Sequence, residues 1–191
     1  MNLEKIFPVE FRTKEEVSGI LRDHWVVITG EYSVNNDGNI DVFGDLRFAD
    51  FASFLTNFPL KFNSISGSFD CTSLYRLSTL KDGPKHVGGT FNCAYTNIKS
   101  LEYAPERAAK LIFDDTVTSL CTGGVNCHFD QVDILVRNSN HINGIPVLIL
   151  KHTAYLQQIL KYQNYFDVWK EGLFNQEGFE SLIEEIKEGL K

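Results

Sequence analysis

The sequence predicts an α/β repeat fold: a solenoid of about five stacked coils with a period of about 22 residues. A helix and hairpin cap one end and helices cap the other. Three observations predict it. Val87-Gly88-Gly89-Thr90-Phe91-Asn92-Cys93 repeats Ile65-Ser66-Gly67-Ser68-Phe69-Asp70-Cys71, with the Phe-x-Cys cores 22 residues apart. Leu80-x-x-Gly83-Pro84 returns as Leu101-x-x-Ala104-Pro105. Weaker copies continue the spacing on both sides. Self-similarity of this period means units that bury their apolar faces against each other rather than around one central site.

Residues 1–43 read as the N-terminal cap. Thr13-Lys14-Glu15-Glu16 is a capping box, and Val17, Ile20 and Leu21 form one apolar helical face behind it. Trp25-Val26-Val27-Ile28 begins a strand. Asn35-Asn36-Asp37-Gly38 supplies a turn, and Ile40-Asp41-Val42-Phe43 returns.

Residues 44–150 read as the solenoid. Candidate strands are centred on Leu46, Phe69, Phe91, Ile112 and Ile134, and Val147 to Leu150 offers a shorter-spaced sixth. Leu80 and Leu101 point inward. Pro84 and Pro105 fix φ where the chain turns back, and glycines before the strands allow close backbone approach. Phe91-x-Cys93 followed by Ile98 and Leu101 fits the leucine-rich-repeat pattern, with Thr96 in the asparagine place.

Residues 151–191 read as the C-terminal cap. One amphipathic helix carries Leu156, Ile159, Leu160, Tyr162, Phe166 and Trp169 and ends at Gly172. A second, from about Gln176, carries Phe179, Leu182, Ile183 and Ile186, with Glu180, Glu184, Glu185 and Glu188 on its other face.

Composition narrows function. The net charge of −7 and the lack of any Lys/Arg cluster argue against broad nucleic-acid binding. No apolar run reaches membrane-span length and the first residues are not a signal sequence, so a cytoplasmic location is expected. Cys71 and Cys93 fall at equivalent positions and should stack as reduced, buried side chains. Cys121, Cys127 and His128 space too loosely for a zinc site, the five histidines are scattered along the chain, and no metal or cofactor is expected. With no Gly-x-Ser-x-Gly and no phosphate-cradling loop, the chain is not expected to be an enzyme.

Several stretches resemble small leucine-rich-repeat-like proteins of tailed bacteriophages. They are Asn36-Asp37-Gly38-Asn39-Ile40-Asp41-Val42-x-Gly44-Asp45-Leu46, Pro59-x-Lys61-Phe62-Asn63, Gly67-Ser68-Phe69-Asp70-Cys71, Pro84-Lys85-x-Val87-Gly88-Gly89-x-Phe91-x-Cys93, and Tyr165-x-x-x-Trp169 through Glu185-Ile186. The resemblance implies a phage origin and an intracellular, non-structural role. Members are mostly of unassigned function.

Alternation along each strand selects the outward side chains. They are Asp45, Arg47 and Ala49; Ser68, Asp70 and Thr72; Thr90, Asn92 and Ala94; Leu111, Phe113 and Asp115; and Asp133, Leu135 and Arg137. Leu111, Phe113 and Leu135 would form an apolar cluster rimmed by Asp115 and Arg137, either exposed or covered by the C-terminal helices. Such a cluster is what a protein-binding hot spot requires. The expected function is binding of a host protein, and its inhibition or redirection, as in anti-defence. The alternatives are a sponge for a small nucleotide signal, built on Arg47, Arg76, Tyr75 and Tyr95, or an enzyme of unrecognised type.

Overall fold

The computed structural model describes residues 13–136 and 144–190. Helix α1 (Lys14–Asp23) opens with the predicted capping box. Thr13 Oγ1 accepts from Glu16 N at 3.2 Å, and Thr13 N donates to Glu16 Oε2 at 2.7 Å. Val17 and Leu21 are buried beneath it.

Strands β1 (Val26–Ile28) and β2 (Glu31–Val34) form one bent arm of a hairpin. β3 (Ile40–Phe43) and β4 (Leu46–Phe48) form the other, with β2 antiparallel to β3 and β1 antiparallel to β4. The arm bends at Gly30 against Gly44. A Cβ on Gly30 would stand 2.0 Å from the Phe43 carbonyl oxygen, so only glycine fits the bend.

The bent strand then repeats. β5 (Phe62–Ile65) and β6 (Phe69–Asp70) make the two arms of the second coil. In β7 (His86–Asn92), β8 (Arg107–Asp114) and β9 (His128–Leu135) both arms are one continuous strand. All coil-to-coil pairings are parallel. Leu46, Phe69, Phe91, Leu111 and Val132 stand in register on neighbouring strands. The result is a β-solenoid of about five turns with a period near 21.

The predicted strand at Phe91 therefore pairs with Leu111, not Ile112. That one-residue difference reverses every side chain of β8. Leu111 and Phe113 are 0% exposed and belong to the core, whereas Ile112 takes the outward parity.

Inside, phenylalanines form a column. Phe69 stacks on Phe91 with centroids 5.3 Å apart and planes 5° from parallel, and Phe48, Phe58 and Phe62 meet Phe69 within 6.0 Å. Cys71 and Cys93 stack in the same interior as free thiols, each turned toward a backbone carbonyl of the next coil. Burial raises both thiols well above the ordinary range, with the neighbouring Cys93 adding to the effect on Cys71.

The return segments hold the predicted leucines inside: Leu80 and Leu101 are buried. Each begins a turn whose third residue has positive φ, Asp82 at 67° and Tyr103 at 65°, closed by Gly83 N to Leu80 O and Ala104 N to Leu101 O, both 2.9 Å. Thr96 is buried and donates to Cys93 O at 2.8 Å, so its hydroxyl satisfies the loop backbone.

The C-terminal part differs from expectation in two ways. Val147–Leu150 is a single helical turn, α2, rather than a sixth strand. The long helix stops early: α3 spans Leu156–Tyr162, and Trp169 lies in a small hairpin of β10 (Trp169–Lys170) and β11 (Leu173–Phe174). Glu171 and Gly172, at φ 52° and 78°, form its turn, so Gly172 reverses a strand instead of ending a helix. Helix α4 (Gln176–Glu188) matches the reading, with Phe179, Leu182, Ile183 and Ile186 buried.

Helix α3 packs on β9. Gln163 is buried and donates to Leu120 O at 2.9 Å, while Trp169 Nε1 donates back to Gln163 Oε1 at 2.8 Å. Leu156, Ile159 and Leu160 continue the apolar core past the last coil. No helix of the described residues is long and apolar enough to cross a membrane.

Candidate recognition surfaces

The predicted strand-face site does not assemble. Leu111 and Phe113 are core residues, and Asp115 is buried, its backbone N–H donating to Leu135 O at 3.1 Å. Leu135 is half-buried, and Arg137 lies outside the described residues. The exposed apolar cluster is thus a consequence of assigning β8 to the wrong parity. Asp70 and Asn92 are half-buried and accept from their own turns: Thr72 N and Oγ1 on Asp70 Oδ1, Ala94 N on Asn92 Oδ1. Asp114 does the same for Thr116. These three stop the strand and start the turn, an Asx turn repeated coil after coil. Arg47 is exposed on β4.

A row of solvent-exposed aromatic residues lies on the turns that follow the second arms. The first coil presents Phe51 and Phe54 from a 3₁₀ turn (Asp50–Phe54), and both contact Trp25. Centroid distances are 6.1 Å for Trp25–Phe51 and 5.8 Å for Trp25–Phe54. Phe51 is 73% exposed. Trp25 is held outward by a φ of 51° at the end of α1, a conformation a bulky residue rarely adopts. The equivalent turns of the next coils present exposed Tyr75 and Tyr95. Ser73 Oγ donates to Asp50 Oδ1 at 3.1 Å and Ser78 N to Thr56 O at 3.1 Å, which ties the first two turns side by side. The edge thus carries an aromatic on each of three coils, with Arg76 beside Tyr75.

A second surface lies on the first arms. Asp41, Ser64, His86, Arg107 and His128 are register partners across five strands, all with outward parity. Neighbours in such a row are separated by about 4.8 Å. The early half of the row is satisfied internally. Asp41 accepts from Ser64 Oγ at 2.5 Å, Asn63 Nδ2 at 2.7 Å and Asn35 Nδ2 at 3.4 Å. Burial pushes the Asp41 carboxyl up, but those hydrogen bonds outweigh it and hold it below the usual aspartate value. The late half, His86, Arg107 and His128, is exposed.

Beside Arg107 and His128 runs a groove of about 650 Å³, with β8 and β9 as one wall and α3 as the other. Gln157, Gln158 and Lys161 contribute from the helix. Arg47, Arg76, Tyr75 and Tyr95, the set read as a nucleotide site, have no part in its wall. His86, Arg107 and His128 are spaced at the period of the coils, a signal present in the sequence. The histidines look scattered only as long as the arm that carries them is not recognised as a strand.

Among the described residues, no group of three or more His, Cys, Asp and Glu side chains is placed to hold a metal ion. Cys127 is buried and its thiol is pushed up to about 12, chiefly by burial. Fold and surfaces together define a β-solenoid with an aromatic turn edge and a basic groove. No protein-family model, no curated protein and no solved structure matches the chain.

Proposed function

We propose that this chain is a protein-recognition module that engages its partner along the aromatic turn edge. The carrying observation is the Trp25–Phe51–Phe54 cluster: three large aromatic side chains open to solvent, with Trp25 in contact with both phenylalanines. Aromatic anchors of this kind dominate the energetics of protein interfaces. A stacked fold lends them a rigid base, so little entropy is lost on binding. In this reading the coils are of the leucine-rich-repeat-like type, and α1 with its hairpin is an N-terminal cap. The resemblance to small proteins of tailed bacteriophages supplies the partner class: a host cytoplasmic protein, inhibited or redirected by occlusion of its working surface.

The test is capture from host cytoplasm by the tagged chain, with Phe51→Asp in parallel, followed by titration of the purified candidate. A partner that binds one to one and loses at least tenfold in affinity to Phe51→Asp, with the circular dichroism unchanged, supports the reading. Equal binding by both proteins overturns the placement on this edge.

A further inference from the structure

The groove between the late coils and α3 has a chemistry that the aromatic edge does not use. Its wall combines Arg107 and His128 from adjacent strands with Lys161 from α3. Gln158 faces them from the helix, and its Oε1 is buried with no hydrogen-bond partner among the described residues. A buried acceptor without a donor is costly, and a ligand hydroxyl would satisfy it. A second cleft of about 730 Å³ shares His128 and Lys161 with the first and is lined by Tyr162, Tyr165 and Phe166. The two spaces adjoin at His128 and Lys161, which line both, and taken together they make a trench with Arg107 on one side and the aromatic rings on the other. Tyr165 and Phe166 are in edge contact at 5.1 Å, and Tyr165 is 84% exposed. Lys161 Nζ lies 4.8 Å above the Tyr162 ring, at the junction. One carboxylate side chain stands in each wall, Asp130 in the first and Glu185 in the second.

We propose that this trench binds a nucleoside monophosphate. The phosphate sits against Arg107, His128 and Lys161, where charge-assisted hydrogen bonds are strong. The base lies on the Tyr165 and Phe166 side, where stacking is tolerant of base identity. A sugar hydroxyl donates to Gln158 Oε1 once a side-chain turn brings that atom to the groove. Each cavity falls within the size range of small-ligand sites.

The test is isothermal titration of the full chain at low salt with the 5′-monophosphates of adenosine, guanosine, cytidine and uridine. Adenosine and inorganic phosphate serve as separate arms. At least one nucleotide is expected to bind at least tenfold more tightly than phosphate or adenosine. Arg107→Ala and Tyr165→Ala, both at exposed positions, should each weaken it about tenfold. Phe51→Asp should leave it unchanged, which separates this site from the aromatic edge. No binding of any of the four nucleotides overturns the proposal. So does phosphate binding as tightly as the best nucleotide with no effect of Tyr165→Ala, which would reduce the trench to a simple anion site.

Discussion

Gly88 is exposed, and a surface glycine replaced by alanine usually changes stability by less than about 0.5 kcal/mol. The stacked corners predict otherwise. A Cβ at residue 88 would stand 2.1 Å from Ser66 O and 3.0 Å from Ser66 C on the preceding coil. Side-chain carbons do not approach within 3.0 Å, so the second and third coils must move apart by roughly 0.9 Å at the corner. That strains the bonds flanking it, Gly89 N to Gly67 O at 2.8 Å and Thr90 N to Ser68 Oγ at 3.1 Å. Weakening two hydrogen bonds at about 1 kcal/mol each, with overpacking of about 1–2 kcal/mol, gives a loss of about 3–4 kcal/mol. Urea unfolding followed by tryptophan fluorescence and circular dichroism measures it. Gly19→Ala is the control. It lies within α1 with nothing within 4 Å, so alanine should stabilise it by about 0.5–1 kcal/mol. A Gly88→Ala protein as stable as the parent would mean that the corners do not stack in this register.

Four further outcomes are expected. Phe113→Ala should cost about 3–5 kcal/mol in urea unfolding, as a fully buried phenylalanine does; a near-neutral result would return Phe113 to the surface. In the native protein Cys71, Cys93 and Cys127 should resist a thiol reagent at pH 8 while Cys121, which is partly exposed, reacts; fast labelling of all four thiols would contradict the burial. The lowered carboxyl of Asp41 contributes stability that is full above the ordinary aspartate value of about 4 and is lost as pH falls through its lower folded value. Asp41→Asn should therefore flatten the acid limb of a stability–pH curve, and an unaltered limb would refute the hydrogen-bonded cluster. Asp133 is likewise held low, first by the hydrogen bond from Lys110, in an ion pair of 2.6 Å. Because the pair is partly solvated, Lys110→Met should shift the Asp133 titration upward in NMR with little change in melting temperature.

The repeat was legible because two coils kept the same residues. Phe69 and Phe91 occupy the same column, and Leu80 and Leu101 the same turn, so spacing alone placed them. The fourth coil was not legible to the residue. Leu111, Ile112 and Phe113 are all apolar, so alternation offers no choice of parity, and the shortened spacing from Phe91 decides it. The aromatic edge was missed for a related reason. Trp25, Phe51 and Phe54 are distant in sequence or sit in a turn, and nothing in their residue type separates an exposed aromatic from a core one. The break after Tyr162 depends on Gln163 bridging Leu120 and Trp169, a tertiary contact that helical periodicity does not contain.

Coils that touch only their neighbours also set how the molecule yields to force. Tension applied between the two ends runs along the stacking axis, and the parallel strands unzip ladder by ladder. Each released coil of about 21 residues adds about 70 Å of free chain. A force–extension trace would then show a short series of evenly spaced steps rather than a single rupture. The spacing of those steps would read out the repeat period mechanically.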